Sequence, residues 1–574
     1  MARALFLCDG ASKPSEWRDQ TWEVEGVIRH HGPKADLNLR VENLSHRVLG
    51  TIDARASDLV RIAAYVYGAD QSVRRGGLKD VYGADWRRTM ALSIPVADPD
   101  FWSQGKVREA LQDALNFLSD DDWEFHFAPG APEGGQLVLN VDKAELLSRP
   151  DSVVLFSGGA DSLCATIEKA TDGRSRPLLI SHRPTPPVDS RQKILLSGLR
   201  ERFATWAFPQ LGFWIHRRGS EAVETSQRSR AFLFASLGTA VASALNLRDV
   251  VLADNGVVSL NIPFNAQLVG ALATRSTHPK FLRLFNRFIQ AVFDDPPQLS
   301  NPLSNRTRAE ALEILHAHRV EALLQETVSC SHARGRPAVQ PHCGVCSQCI
   351  DRRFASLAAG LEEHDLAECY GLDIFRDELP PGNGRTLAVS FVRFATQISE
   401  SDGRTLFDAF PELGDCILPA DPQPAKTAQE LVALLKRHAA SVLGVMESQV
   451  AMRTQEVASG RLPPNSLLAL VASGVTPTDE SIRTNGEHED FRHSEDFRSV
   501  FLRGREYTLT TQQAQIIEML YDAHKSKTPD LSADYILDRL GVPESRFRDS
   551  FRNSDAWGTL VVPGKRRGTY RLNL

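Results

Sequence analysis

Short apolar runs, each followed by glycine-rich or helical stretches, mark the middle of the chain. SVVLF (Ser152 to Phe156) leads into SGGADS and then LCATIEKA, PLLIS (Pro177 to Ser181) repeats the run, and DVVLAD (Asp249 to Asp254) follows an apolar stretch from Ala231 to Leu247. Strands alternating with helices predict an α/β unit with a parallel sheet over residues 149–375. Within it, TRAEALEILHAH opens with Thr307 and Glu310 three residues apart, the spacing of a capping box.

The flanking regions read differently. Residues 1–148 suggest an α/β or α+β domain. Leu37, Leu39 and Val41 alternate as in a half-buried strand, and WEFHF (Trp123 to Phe127) and QLVLN (Gln136 to Asn140) are set apart by Pro and Gly as in a hairpin. DLVRIAAYVYGADQ is helical, and Arg74 and Arg75 after it, with Asp70 and Asp80, read as a solvated face. Residues 376–490 are a helical region ending in the polar linker PTDESIRTNGEHEDFRHSED. Residues 491–574 spell three short helices and a basic hairpin, a winged-helix outline.

Composition narrows the class. At 574 residues the chain calls for several domains. Its 38 Gly and 31 Pro are near average usage and exclude collagen-like or low-complexity chains. The net charge of −6 supplies no general field for nucleic acid or membranes. From Gly541 onward, however, seven basic residues face three acidic ones, a local balance of 7 − 3 = +4 that permits nucleic-acid contact. The stretch 231–247 carries Ser236, Thr239, Ser243 and Asn246 and is too short to span a bilayer, so no membrane association is expected. MARALFLCDG lacks a secretory cleavage pattern, and a cytoplasmic protein is expected.

The sharpest chemical signal is Ser157-Gly158-Gly159-Ala160-Asp161-Ser162 between strand and helix. Two glycines let the backbone approach a phosphate, free N–H groups and the helix dipole supply positive character, and Ser157 and Ser162 add hydroxyl donors. Asp161 would repel a phosphate, so its useful role is to hold Mg²⁺ or to orient the loop. The second signal is Cys330-x₁₂-Cys343-x₂-Cys346-x₂-Cys349, four of the eight cysteines within twenty positions. Four soft ligands at this spacing favour a structural Zn²⁺ site, with an iron–sulfur cluster as the competing occupant. His332 and His342 lie nearby as bystanders. Cys8, Cys164, Cys369 and Cys416 read as reduced thiols.

The SGGxDS loop resembles that of the N-type ATP pyrophosphatases, the PP-loop enzymes, which hold ATP on a Rossmann-like (HUP-type) sheet and cleave it between the α- and β-phosphates. With Ser329-Cys330, CGVCSQC and the pair Arg352-Arg353, residues 150–375 are similar to QueC, the 7-cyano-7-deazaguanine synthase family. SRAFLF (Ser229 to Phe234), ADNGVVSLNIP (Ala253 to Pro263) and NPLSNRTRAE agree with it. The resemblance implies ATP binding by Phe156, Ser157, Gly158, Gly159, Asp161 and Ser162, with Asp161 and Ser162 catalytic. It further implies a deazaguanine pocket containing Arg230, Asp254, Asn255 and Asn261, and a Zn²⁺ knot of Cys330, Cys343, Cys346 and Cys349.

QueC enzymes adenylate 7-carboxy-7-deazaguanine, admit ammonia to form the amide, and activate it again to give the nitrile. This chain departs from them by lacking a GYPDCR-type run and by carrying an N-terminal domain, a helical region and a winged helix. Enlarged QueC-like proteins belong to bacterial anti-phage operons of the Qat and QueC-containing CBASS types. By that similarity the activated deazaguanine goes to an amine, such as the N-terminus of an operon-encoded partner protein. The alternatives are a free-standing synthase using ammonia and a winged-helix nucleic-acid sensor with a non-catalytic PP-loop domain.

Overall fold

Ser152–Leu155, buried along its whole length, is the middle strand of a sheet that both flanking runs join. The computed structural model describes residues 2–574 except 31–34, 42–47, 52, 76–86, 131–137, 141–149, 172–175, 184–185, 207, 218–223, 225, 264–274, 332–335, 338, 381–382, 418–420, 473–490, 494–496, 498, 504, 526–528, 541–546, 552–553 and 567. The chain forms two units, Met1–Thr476 and Pro477–Leu574.

In chain order the strands of the first unit are β1 (Arg3–Cys8), β2 (Val24–Ile28), β3 (Leu37–Val41), β4 (Val48–Thr51), β5 (Thr89–Val96), β6 (Asp122–Pro129), β7 (Val138–Asn140), β8 (Ser152–Leu155), β9 (Pro177–His182), β10 (Gln210–Arg217), β11 (Asp249–Val251) and β12 (Gln298–Ser300). Its principal helices are α1 (Ala54–Asp70), α2 (Gly105–Ser119), α3 (Ala160–Thr171), α4 (Pro186–Arg202), α5 (Arg230–Ala244), α6 (Pro279–Val292), α7 (Arg308–Ala317), α8 (Ser347–Ala358), α9 (Asn383–Glu400) and α10 (Pro424–Met452).

The central sheet runs β12-β11-β8-β9-β10-β3, parallel except for the antiparallel edge strand β3. Counted from β8 to β12 along the chain, its parallel strands lie in the order 3-2-1-4-5, that of a doubly wound Rossmann-like sheet. The switch point falls between β8 and β11, so the crevice beyond their carboxyl ends opens beside SGGADS and ADN. The expected parallel α/β sheet is therefore present, with β3, from the N-terminal stretch, as its sixth strand.

β2-β1-β5-β6 form a second, all-parallel sheet. Here the expected hairpin is corrected. Trp123 to Phe127 lies in β6, paired in parallel with β5 (Met90 opposite Trp123), whereas Val138–Asn140 pairs antiparallel with β4. Trp123, Phe125 and Phe127 do alternate onto one buried face, with adjacent rings nearly parallel at 6.2 and 6.0 Å. That face is covered by α2, and the helix that crosses from β5 to β6 makes the pairing parallel.

The solvated face is corrected as well. Asp70, Arg75, Arg88 and Asp121 form a buried cluster with charged ends fully inaccessible: Arg75 Nη2 meets Asp70 at 3.0 Å and Asp121 at 2.6 Å, and Arg88 Nη2 meets the same two at 2.6 and 2.8 Å. Each carboxylate is shared by two guanidinium groups, which is how such burial becomes tolerable. Arg74 is half-buried, and Asp80 lies outside the described residues.

α9 and α10 pack together and against α8, with Phe354, Phe391, Leu434 and Leu435 in a common apolar core. The Thr307–Glu310 capping box is formed at the start of α7. Among the described residues no helix is long and apolar enough to cross a membrane.

In the second unit, β13 (Phe491–His493), β14 (Ser499–Leu502) and β15 (Arg505–Thr508) form an antiparallel meander, so the end of the expected linker is a strand. There follow α11 (Thr511–Lys525), β16 (Leu531–Ser532), α12 (Ala533–Arg539), a short 3₁₀ turn Phe547–Phe551, and the hairpin β17 (Val561–Pro563) and β18 (Thr569–Leu572). Ile516, Ile517, Leu520, Ile536 and Phe551 share its core.

Candidate active site

The SGGADS loop leaves β8 at Phe156, whose ring is buried in the apolar core beneath the site, and enters α3 at Ala160. Gly158 has φ +85°, which a side chain disfavours, and a Cβ there would stand 3.1 Å from Gln192 Cγ. Ser157 Oγ accepts from Gly159 N (3.2 Å) and donates to Ser162 Oγ (3.1 Å), while Ser162 Oγ donates to Gly159 O (2.9 Å). Gln192 Nε2 donates to the carbonyls of Ser157 and His182, each at 3.0 Å, tying the loop to the end of β9. The loop is thus closed on itself at the start of a twelve-residue helix, whose dipole is positive at that end.

Asp161 sits on the first turn of α3, buried. Its Oδ2 accepts from Arg308 Nη2 (3.0 Å) and Asn255 Nδ2 (3.4 Å), and its Oδ1 is buried with no hydrogen-bond partner among the described residues. An orphaned carboxylate oxygen at a phosphate loop suits a hard cation such as Mg²⁺. Arg308 bridges onward to Asp351 Oδ2 (3.2 Å) and to Gln348 Oε1 (2.8 Å). Burial alone would lower its pKa, but the Asp161 and Asp351 carboxylates reverse this and hold it charged.

Asp254, three residues beyond the carboxyl end of β11, accepts from Thr277 Oγ1 at 2.9 Å. Burial, reinforced by the Asp161 charge, pushes its carboxyl up to about 7. Asn255 caps the short helix Gly256–Leu260, its Oδ1 accepting from Val258 N, and Asn261 closes that helix in the left-handed region at φ +52°. Asp254, Asn255 and Asp161 therefore come together at the switch point. Arg230 stands at the first turn of α5, exposed, with its guanidinium 5.0 Å over the Phe234 ring.

Gln192, Arg308, Gln348 and Asp351 were not singled out from the sequence. One signal for Arg308 existed: it follows the N-cap Thr307, where the helix dipole disfavours a cation, so a carboxylate partner was to be expected.

The four cysteines converge beside this site, with all Sγ atoms within 4.8 Å of one another. A tetrahedral Zn²⁺ with bonds of about 2.3 Å needs sulfurs about 3.8 Å apart, and Cys343 and Cys349 Sγ stand at 3.8 Å. Hydrogen bonding to Cys343 and then Cys346 raises the Cys330 thiol above its ordinary value, and a bound cation would favour the thiolates. His342 instead lies against Tyr370, the rings tilted by 31° with centroids 4.9 Å apart, and burial, then Arg352, lowers its pKa to about 3. His332 lies outside the described residues. Arg352 is buried against Asp365 and the carbonyls of Leu324 and Thr327, one residue before Val328, whose N–H donates to Gly158 O. Cys330 thus follows two residues after the backbone contact with the SGGADS loop.

Over 147 residues, 25% of this chain, the sequence is 27% identical to the 7-cyano-7-deazaguanine synthase of Methanothermobacter thermautotrophicus. The match spans 58% of that relative's length. No family model matches the chain, and no solved structure matches it.

Proposed function

We propose that this chain is an ATP-dependent, QueC-like enzyme that adenylates 7-carboxy-7-deazaguanine and transfers the acyl group to an amine. The observation that carries this reading is the placement of the closed SGGADS loop, with buried Asp161, at the switch point of a 3-2-1-4-5 sheet backed by four converging cysteines. The distant similarity to a deazaguanine synthase points the same way.

On this reading the β- and γ-phosphates of ATP replace the loop's internal hydrogen bonds and take the N–H groups of Gly158 and Gly159 and the hydroxyls of Ser157 and Ser162 as donors. Asp161 Oδ1 would hold Mg²⁺, which offsets the charge of the leaving pyrophosphate. The substrate carboxylate attacks the α-phosphorus, pyrophosphate departs, and a poor acyl donor becomes a mixed anhydride. An amine then attacks the carbonyl carbon, the C–N bond forms, AMP leaves, and the nitrogen gives up a proton to solvent. Asp254 and Asn255 offer an acceptor and a donor to the deazaguanine edge, and Arg230 a cation to its carboxylate. Zn²⁺ in the cysteine knot is structural.

The parallel N-terminal sheet and the helices α9 and α10 exceed what a small-molecule synthase requires, and favour a macromolecular acceptor: the N-terminus of a partner protein in an anti-phage setting. The second unit, with its helix–helix–turn–hairpin succession, serves as a winged-helix docking module on this reading. The similarity to a synthase favours, as the second reading, a free-standing enzyme that uses ammonia.

The test is release of AMP and pyrophosphate with and without 7-carboxy-7-deazaguanine, followed by intact-mass analysis of proteins encoded alongside the chain. AMP that depends on the deazaguanine, with a mass-shifted neighbour, is the expected result. A free amide or nitrile returns the chain to the second reading. No AMP, with steeply salt-dependent DNA binding, overturns both in favour of a sensor.

A further inference from the structure

Ser229 is of a type that ordinarily caps a helix with its own hydroxyl, yet it makes no such bond at the start of α5. Its Oγ and its backbone N both donate instead to Asp70 Oδ2, at 2.8 and 3.0 Å, across 159 residues. Asp70 ends α1, and its other oxygen is held by Arg75 and Arg88, so the acceptor is fixed from behind. The guanidiniums hold the Asp70 carboxyl well below the usual range, more than reversing the effect of its burial. Glu224 adds a second tether, accepting from Arg75 N at 2.8 Å and donating from its own N to Gln71 O at 3.2 Å.

The direction of α5 gives this clamp its consequence. α5 leads into β11, which is parallel to β8, so its N-terminal end lies at the carboxyl edge of the central sheet, the edge that carries the phosphate loop. Gly238 packs on Leu155 and Val250 in the sheet. Arg230, eight residues earlier, stands about 12 Å further toward that edge at 1.5 Å per residue. One turn on from Arg230, Phe234 lies 5.3 Å from the ring of His182, whose carbonyl shares Gln192 with Ser157.

We infer that Asp70 is a positioning residue: through Ser229 it sets where Arg230 stands over the reacting edge of the central sheet. The N-terminal sheet thereby takes part in substrate recognition without touching substrate. This rests on the proposed function, in which Arg230 meets the deazaguanine carboxylate.

The experiment measures KM for 7-carboxy-7-deazaguanine and for ATP, with the melting temperature, in the full chain and in Ser229→Ala, Ser229→Thr and Asp70→Asn. Ser229→Ala loses one buried hydrogen bond and should raise the KM of the carboxylate about five- to tenfold, with the KM of ATP unchanged and the melting temperature only slightly lowered. Ser229→Thr restores a hydroxyl and should recover the wild-type value. Asp70→Asn should show the larger shift if it folds, and the serine pair decides the matter if it does not. An unchanged carboxylate KM in Ser229→Ala, or both KM values rising together with a fallen melting temperature, overturns the positioning role alone. A wild-type chain that shows no deazaguanine-dependent AMP release overturns the proposed function, and this inference with it.

Discussion

Arg308 Nη2 stands 3.0 Å from Asp161 Oδ2, joining the SGGADS loop to a helix 147 residues further along the chain. The same guanidinium group faces Asp351, so one cation serves two buried carboxylates. Arg308→Met should therefore do more than loosen the loop. It leaves two acids without their counter-ion, and breaking a buried pair in this way costs about 3–5 kcal/mol. Thermal unfolding should register the loss, and AMP release should vanish with it. Asp161→Ala, by contrast, leaves Arg308 paired with Asp351 and should abolish turnover in a chain that remains folded; retained turnover would remove Asp161 from the chemistry.

The raised pKa of Asp254 carries a pH prediction with a definite sign. In the unfolded chain this carboxyl ionises near its ordinary value of 3.8, whereas in the fold it keeps its proton up to about 7. Between those values the folded state binds the extra proton, so this group's contribution to stability falls as pH rises from about 4 to 7 and is flat above. Thr277 Oγ1, Asp161 and Arg308 are the groups that act on it, and EDTA keeps divalent cations from adding to them. Denaturant unfolding of the first unit, compared with Asp254→Asn across that range, should show the variant gaining on the wild type as pH rises. A constant difference would mean that Asp254 titrates normally in the fold.

Gly256 offers a purely steric test of the same corner. A Cβ at this position would stand 2.2 Å from the Ser304 carbonyl oxygen and 2.8 Å from Leu434 Cδ2. The first of these is backbone and cannot swing away, so Gly256→Ala must displace the one-turn helix that Asn255 caps. Overpacking of this kind costs about 1–3 kcal/mol. The displacement also shifts Asn255, which donates to Asp161, so the variant should lose melting temperature and AMP release together. A variant with wild-type melting temperature would show that the Ser304 turn yields.

The parts of this site that were legible in the sequence are those whose chemistry is contiguous. SGGADS needs only its own backbone and the helix it opens, and the four cysteines fall within one stretch of chain. Arg308 and Asp351 were missed because each acquires meaning only through a partner on another element. The Asp70 cluster shows the same effect more strongly: read along α1, an acid followed by arginines looks solvated, and only Asp121 and Arg88, brought in by the β5 and β6 strands, make a buried network of it. Strand partners were lost for a similar reason. The alternation of Trp123, Phe125 and Phe127 identifies a half-buried strand but holds no record of which strand lies beside it, and the helix between β5 and β6 decides that.

The cysteine knot yields the last prediction. Cys349 Sγ is buried 3.8 Å from Cys343 Sγ, and Cys346 N donates to Cys343 Sγ at 3.3 Å, the backbone-to-sulfur bond that supports a thiolate in a metal loop. The purified chain should carry one zinc, measured by elemental analysis, and should be colourless; a brown protein rich in iron would instead assign an iron–sulfur cluster. Cys346→Ser removes a soft ligand and should release the metal, because a structural site with three thiolates has lost its closed shell. Since Arg352 on α8 ties this region to the turn before Val328, which contacts Gly158, metal loss should reach the phosphate loop. The expected outcome is therefore a fall in melting temperature together with weaker ATP binding, both reproduced in the wild type by a chelator strong enough to strip zinc. Unchanged metal content in Cys346→Ser would refute the four-cysteine assignment, and metal loss with ATP binding intact would show that the knot does not brace the loop.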